Sequence, residues 1–158
     1  MIAKQIICKD MNIDIKGITL LSREEFEKNK EWIPNTLSKT KWWLRSKGCC
    51  DDYACYVDSS TNLIYDDGYI DLAKDARPVL LFNTTTEINP GDEFILFARY
   101  WNWVVLETTL NGNFMAISLE SIGRPYFNEY GKSNDYENSE IKKYLEEKLK
   151  SWIEYENR

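Results

Sequence analysis

Three thiols fall within seven residues of one another, Cys49, Cys50 and Cys55, with a fourth at Cys8. Thiolates suit soft metals such as zinc or Cu(I). Adjacent cysteines followed by a five-residue step do not make a CxxC knuckle, and no second pair exists to close a structural zinc site. The chain contains no histidine. That removes Ser-His-Asp triads, Cys-His pairs, HExxH zinc sites and the usual pH-switch residue. Seven glycines are scattered, and no Gly-rich phosphate loop can be written. Two acidic pairs, Asp51-Asp52 and Asp66-Asp67, have the donor type for a hard cation. Lying in expected turns, they read more simply as a solvated face. The residue types call for no cofactor and leave the thiols as the only candidate chemistry.

Recognition residues are plentiful. Six Trp, ten Tyr and six Phe make 14% of the chain aromatic. Tyr and Trp dominate interface hot spots. The candidates are Tyr53, Tyr65, Tyr69, Tyr100 and Trp101, with Asp51, Asp52, Asp66 and Asp67 beside them; Tyr100 and Trp101 follow Arg99 in an expected exposed hairpin. Trp42, Trp43 and Trp103 sit in apolar stretches and are expected in the core. Arg45 and Arg77 also lie in apolar strands. Each is expected to pack its stem and pair its guanidinium with a carboxylate or backbone carbonyls.

The elements that would position these residues follow from pattern. Gln5–Cys8 reads as a short edge strand and Asp14–Leu21 as a strand. Ser22-Arg23-Glu24-Glu25 is a capping box that opens a helix of about two turns with Phe26 inward. Pro34-Asn35 ends it. Trp42–Arg45, Ala54–Val57 and Leu63–Tyr65 read as strands, separated by turns at 58–62 and followed by a turn at Asp66-Asp67-Gly68. Pro78–Phe82 is a continuous apolar run, so a strand buried on both faces. Residues 84–90 form the best internal connection, ending in Asn89-Pro90-Gly91. Glu93–Ala98, Trp103–Thr108 and Phe114–Leu119 read as strands, the last two joined by an Asn111-Gly112 hairpin turn. Asn138 is expected to cap a final helix from Ser139 to about Tyr155, with Ile141, Tyr144, Leu145, Leu149 and Trp152 on one face. The sum is α+β in a single domain over 1–158.

Acidic residues number 26 and basic ones 20, for a net charge of −6. Direct binding to a nucleic-acid backbone is disfavoured, because phosphate contacts need clustered cations. Residues 84–158 carry most of the imbalance, and an acidic half could face a basic partner surface. The N-terminal apolar run is too short for a signal peptide or a membrane span, so a cytoplasmic protein with reduced thiols is expected.

Two stretches resemble a bacterial and phage domain family of unknown function. The first is Trp42-Trp43-Leu44-Arg45-Ser46-Lys47-Gly48, then Ala54-Cys55-Tyr56-Val57, then Arg77-Pro78-Val79-Leu80. The second is Gly91-Asp92 through Trp103-Val104-Val105-Leu106, then Ala116-Ile117-Ser118, then Tyr136-Glu137-Asn138-Ser139-Glu140-Ile141 through Tyr144-Leu145. Lys47 stands where the family has proline, and Asp75-Ala76 where it has Gly-Val. In the family the two stretches occur in the opposite order. The resemblance therefore implies a circular permutation, with 1–83 matching the family's C-terminal half, 91–158 its N-terminal half and 84–90 the join. Exchange of halves in a swapped dimer is the alternative to a permuted monomer.

The family is similar to the C-type-lectin-like and formylglycine-generating-enzyme superfamily. That implies a twisted antiparallel sheet core with two helices and with loops as the binding surface. Trp43, Arg45, Arg77, Pro78, Trp103 and Glu137 become structural positions, with Glu137 a partner for an arginine of the other stretch. The spacing of Cys50 and Cys55 upstream of Arg77 resembles the copper-binding pair of formylglycine-generating enzymes, but the chain lacks their glycine before the arginine. Calcium-dependent sugar binding needs a carboxylate–Pro–amide loop and a Trp-Asn-Asp strand. Trp101-Asn102-Trp103 lacks the aspartate, and Trp32 and Ile33 intervene between Glu31 and Pro34. The expected function is a non-enzymatic protein-binding module of phage or mobile-element type. It would act as an anti-defence inhibitor on a basic surface of a host nucleic-acid enzyme. A thiol-copper oxidase and a virion or assembly module are the alternatives.

Overall fold

The computed structural model describes residues 5–7, 12–35, 40–97 and 101–156. Nine strands and two helices occur among them: β1 (Gln5–Ile7), β2 (Ile13–Thr19), α1 (Arg23–Asn29), β3 (Lys41–Lys47), β4 (Tyr53–Asp58), β5 (Leu63–Tyr69), β6 (Val79–Thr84), β7 (Glu93–Ile95), β8 (Asn102–Leu110), β9 (Asn113–Ser118) and α2 (Glu140–Glu156). The class is α+β. The strands form two sheets rather than one: six strands in the order β1-β7-β8-β9-β6-β2, and three in the order β3-β4-β5. Every pair is antiparallel except β1 with β7.

Side-chain alternation explains the layering. On β6, Val79 and Leu81 face the three-stranded sheet while Leu80 and Phe82 face the other way. Val104 and Leu106 of β8 and Met115 and Ile117 of β9 join the first side, with Trp42, Leu44, Cys55 and Val57 of the small sheet and Phe26 of α1. Trp103, Val105 and Ala116 join the second side, with Leu149 and Trp152 of α2 against them. The continuous apolar run at 79–82 is thus buried on both faces, as its pattern requires. The far face of the small sheet presents Trp43, Ala54 and Tyr56 to a third cluster that includes Phe127, Ile141 and Leu145. The expected apolar face of α2 is therefore shared. Its first half packs on the cluster behind the small sheet, its second half on the cluster behind the large one.

Local sequence signals set most boundaries. Ser22 Oγ accepts from Glu25 N–H (3.1 Å) and Glu25 Oε1 accepts from Ser22 N–H (2.8 Å), the reciprocal box that opens α1. The β8–β9 turn has φ of 54° at Asn111 and 80° at Gly112, the doubly left-handed geometry of a tight hairpin. Strands from both sides of the 84–90 connection interleave in the large sheet, since β9 pairs with β6 and β7 with β1.

Three local expectations need correction. Asp66-Asp67-Gly68 is not a turn but the middle of β5. Gly68 serves space rather than positive φ: a Cβ there would lie 2.7 Å from Tyr56 Cδ1 and 3.0 Å from Trp43 Cζ3. The cap of α2 is Ser139, not Asn138. Ser139 Oγ accepts from Lys142 N–H (3.1 Å), while Asn138 Nδ2 turns back to Asp135 Oδ2 (2.6 Å). A 3-10 turn at Tyr136–Asn138 shifts the start by a residue. The connection expected at 84–90 begins one residue later, because β6 runs through Thr84 to pair with β2.

Candidate protein-interaction surface

Besides Tyr65, six of the candidate binding residues, Asp51, Asp52, Tyr53, Asp66, Asp67 and Tyr69, lie at or beside the β5 edge of the small sheet. Tyr53 and Tyr69 are register partners on β4 and β5, their rings edge-to-face at 4.8 Å. Tyr56 and Tyr65 are the next such pair, stacked at 5.6 Å. Alternation along β4 puts the two pairs on opposite faces of the sheet. Asp66 and Asp67 lie between them on β5 and are exposed. A register shift between Ala54 and Tyr56 places both aspartates opposite a single β4 residue, a bulge. Asp51 and Asp52 are exposed in the β3–β4 loop, which Ile70 N–H ties to the end of β5 by donating to Asp52 O (2.9 Å).

The patch extends beyond those six. Among the described residues eight large hydrophobic side chains are exposed, and Leu63, Tyr65, Tyr69 and Leu72 are four of them. Tyr126 and Tyr130 are two more, in a loop held beside them by an Ala73–Tyr126 bridge and by Asn128 N–H donating to Ile70 O (2.9 Å). A shallow cavity of about 230 Å³ opens between Asp71, Asn128, Glu129 and these two tyrosines. Sequence reasoning missed Leu63, Leu72, Tyr126 and Tyr130. A signal existed: residues 48–73 hold six aspartates and not one Lys or Arg. The aspartates of the patch thus come from the first half of the chain, where near-neutral overall charge concealed them, and the second half adds Tyr126 and Tyr130.

Electrostatics hold Tyr53 and Tyr56 in their neutral form. The hydrogen bond and charge of Tyr69 push Tyr53 up to about 12. Burial, then the Asp67 carboxylate, push Tyr56 up to about 12, and Tyr56 Oη donates to Asp67 Oδ1 (3.3 Å). Lys74 Nζ lies 4.7 Å from the Tyr56 ring and 4.9 Å from that of Trp43, and Lys41 Nζ 5.5 Å from Tyr56. These two cations back one face of the tyrosine pair through their rings.

The other two binding candidates are not part of this patch. Tyr100 lies outside the described residues, as does Cys8. Trp101 is half-buried, packed 5.8 Å from the Trp152 ring of α2, instead of standing exposed in a hairpin. The strand expected to reach Ala98 is described only as β7, Glu93–Ile95.

The thiols divide between solvent and core. Cys49 and Cys50 are exposed and Cys55 is buried. Cys55 Sγ donates to Lys47 O (3.3 Å), and burial pushes its thiol up. Desolvation, Cys50 and the Asp66 carboxylate push the Cys49 thiol up as well. A thiol held in its protonated form is a poor nucleophile and a poor metal ligand. No group of three or more Cys, Asp or Glu side chains placed to hold a metal ion occurs among the described residues.

Four of the structural candidates are buried, Arg45 is partly buried and Glu137 is exposed. Trp43 and Trp103 are fully buried, and Pro78 is buried at the head of β6. Trp43 Nε1 donates to Pro125 O (3.0 Å). Arg45 makes a forked pair with Glu25, with Nη2 to Oε2 at 2.9 Å, and also donates to Leu20 O. Arg77 is 1% exposed. Its Nε donates to Ser118 O and its Nη2 to Pro34 O, both at 3.2 Å, and its guanidinium lies 5.0 Å over the Trp42 ring. Burial lowers its pKa to about 10, which leaves it cationic at neutral pH. Glu137 partners neither arginine. Its side chain is 75% exposed and only approaches Lys142 Nζ at 3.9 Å. The 3-10 turn carries it outward, and Glu25, opposite Arg45 across the capping box, takes the role instead.

No family model, curated protein or solved structure gives a significant match to this chain. No helix among the described residues is long and apolar enough to cross a membrane.

Proposed function

We propose that this chain is a non-enzymatic protein-binding module that presents the β5 patch to a basic surface of its partner. The carrying observation is the exposure of Leu63, Tyr65, Tyr69 and Leu72 on and just past β5, of Tyr126 and Tyr130 on the loop bridged to Ala73, and of Asp51, Asp52, Asp66, Asp67 and Asp71 beside them. Exposed apolar side chains in one patch mark an interaction site, and rigid tyrosines with an acidic fringe suit an anchor with electrostatic steering. The separation of the pair, with Cys50 exposed and Cys55 buried with its thiol pushed up, speaks against the copper oxidase reading.

The family resemblance extends the proposal. The chain would be a permuted, lectin-like domain of phage or mobile-element type, binding a host nucleic-acid enzyme through that enzyme's basic groove as an anti-defence inhibitor. Burial of Trp43, Arg77, Pro78 and Trp103 supports their reading as scaffold.

The test is capture of partners from host lysate by the tagged protein, with Asp66→Lys/Asp67→Lys and Tyr65→Ala/Tyr69→Ala variants alongside. A stoichiometric partner is expected that both variants lose and that salt above physiological strength weakens. Capture that persists at high salt and ignores both variants overturns the acidic-patch reading.

A further inference from the structure

The two edges of the small sheet are built differently. The outer edge of β3 is occupied by main chain: Trp43 N–H donates to Asp75 O (3.1 Å), Asp75 N–H to Lys41 O (2.8 Å) and Arg45 N–H to Leu21 O (2.9 Å). Among the described residues, β5 has β4 as its only strand partner. Two further main-chain bonds reach it, Cys49 N–H to Asp66 O (2.9 Å) and Leu72 N–H to Tyr69 O (3.1 Å), and both come from its own flanking loops rather than from another strand. β5 spans seven residues, and alternation turns roughly every other N–H and C=O outward, away from β4. At the large sheet, β2 is an edge strand too, but α2 lies along it, with Lys16, Gly17 and Ile18 facing Glu146, Leu149 and Lys150 across a shared groove.

An open edge is a template for another strand, and charge is a standard defence against the wrong one. Here the charges are Asp66 and Asp67, both exposed at the middle of β5. A second copy pairing antiparallel about that point would set aspartates against aspartates, which is repulsive. A lysine- or arginine-bearing strand would be attracted by the same two carboxylates. The intervening rings suit it as well. Tyr65 and Tyr69 are each braced by a cross-strand tyrosine, so they offer fixed aromatic faces for the aliphatic stems and cationic ends of long basic side chains.

We propose that β5 receives an extended, basic segment of the partner protein as a fourth strand of the small sheet. Main-chain hydrogen bonds would supply affinity, while Asp66, Asp67 and the two exposed tyrosines would select the sequence. This rests on the protein-binding reading and adds the partner's local structure and charge to it.

The experiment follows hydrogen exchange at the amides of residues 63–69 in the full-length chain. The probe is an acetylated peptide of about nine residues, alternating Lys or Arg with Val or Thr. Controls carry glutamate in place of the basic residues, or backbone N-methyl groups on one register or the other. Exchange at β5 is expected to slow about tenfold or more with the basic probe. The glutamate probe should have no effect, and one N-methylated register should lose it. Asp66→Lys/Asp67→Lys should weaken the probe about tenfold with the far-UV circular dichroism unchanged. Equal binding by both N-methylated probes, or no slowing at β5 with millimolar basic probe, overturns strand addition. A natural partner that binds without slowing β5 exchange overturns it as well and leaves protein binding standing. Failure to retain any partner while the probe still protects β5 overturns the broader reading alone. Dimerisation through β5 would show a second copy as the occupant and also refute the proposal.

Discussion

Asn29 illustrates how single residues hold this molecule together. Fully buried at the end of α1, its Nδ2 donates to Glu25 O (2.8 Å) and Thr108 Oγ1 (2.7 Å), and its Oδ1 accepts from Glu107 N–H (2.8 Å). It satisfies main-chain groups where the β8–β9 register shifts between Val105 and Thr109. Asn29→Ala strands several of those groups and should cost about 3 kcal/mol, measured by urea unfolding. Arg77→Ala should cost about as much, because Ser118 O and Pro34 O lose their donor and Trp42 its cover; a soluble variant of wild-type stability would contradict the structural role. Glu25 carries a pH signature. Burial alone would raise its pKa, but bonds from Arg45 and Ser22 outweigh it and hold it below the ordinary 4.5. A carboxylate depressed in the folded state contributes stability above its unfolded pKa and loses it as pH falls through the folded value. Melting temperature should therefore fall below about pH 4.5, and Glu25→Gln should flatten that part of the profile while lowering the neutral plateau. Of these partners only Ser22, through the capping box, was legible in sequence. Arg45 and Arg77 announced themselves as charges in apolar strands, but which groups answer them depends on chain crossings 20 to 43 residues away.

Among the elements, β5 diverges most from its sequence signals. Asp-Asp-Gly is ordinary turn chemistry, yet β4 draws these residues into a strand because Gly68 must pass close to Tyr56 and Trp43. Gly68→Val should overfill that contact and destabilise the small sheet by about 2 kcal/mol, visible as faster amide exchange at 53–58 and 63–69. The final helix shows the opposite balance. Its apolar stripe at Ile141, Tyr144, Leu145, Leu149 and Trp152 was readable from period alone, and only the cap moved, from Asn138 to Ser139. Ser139→Ala should cost about 1 kcal/mol in thermal unfolding, and Asn138→Ala much less.

At the scale of the molecule, α2 joins the clusters behind the two sheets, a task it shares with β2, whose Ile18 lies in one and whose Ile13 and Ile15 pack on the other. Ile141 and Leu145 pack behind the small sheet, Leu149 and Trp152 behind the large one. Truncation before Glu140 should expose both clusters and leave a chain that binds a hydrophobic dye and lacks near-UV circular dichroism. The sequence by itself determined the periodic features: the α+β class, the strand buried on both faces at 79–82, the capping box at Ser22, the Asn111-Gly112 hairpin, the burial of Trp42, Trp43 and Trp103. Each depends on contacts within a few residues or on a repeat that local geometry reads directly. Tertiary structure alone decided that there are two sheets, that Glu25 and not Glu137 answers Arg45, and that Trp101 packs against α2. It also decided that Asp66 and Asp67 fall in an open edge strand, with the 126–130 loop bridged to the segment that follows it. The reason is physical: strand partners, buried charge partners and surface patches are set by which distant segments pack together, and the type of a residue constrains that choice without making it.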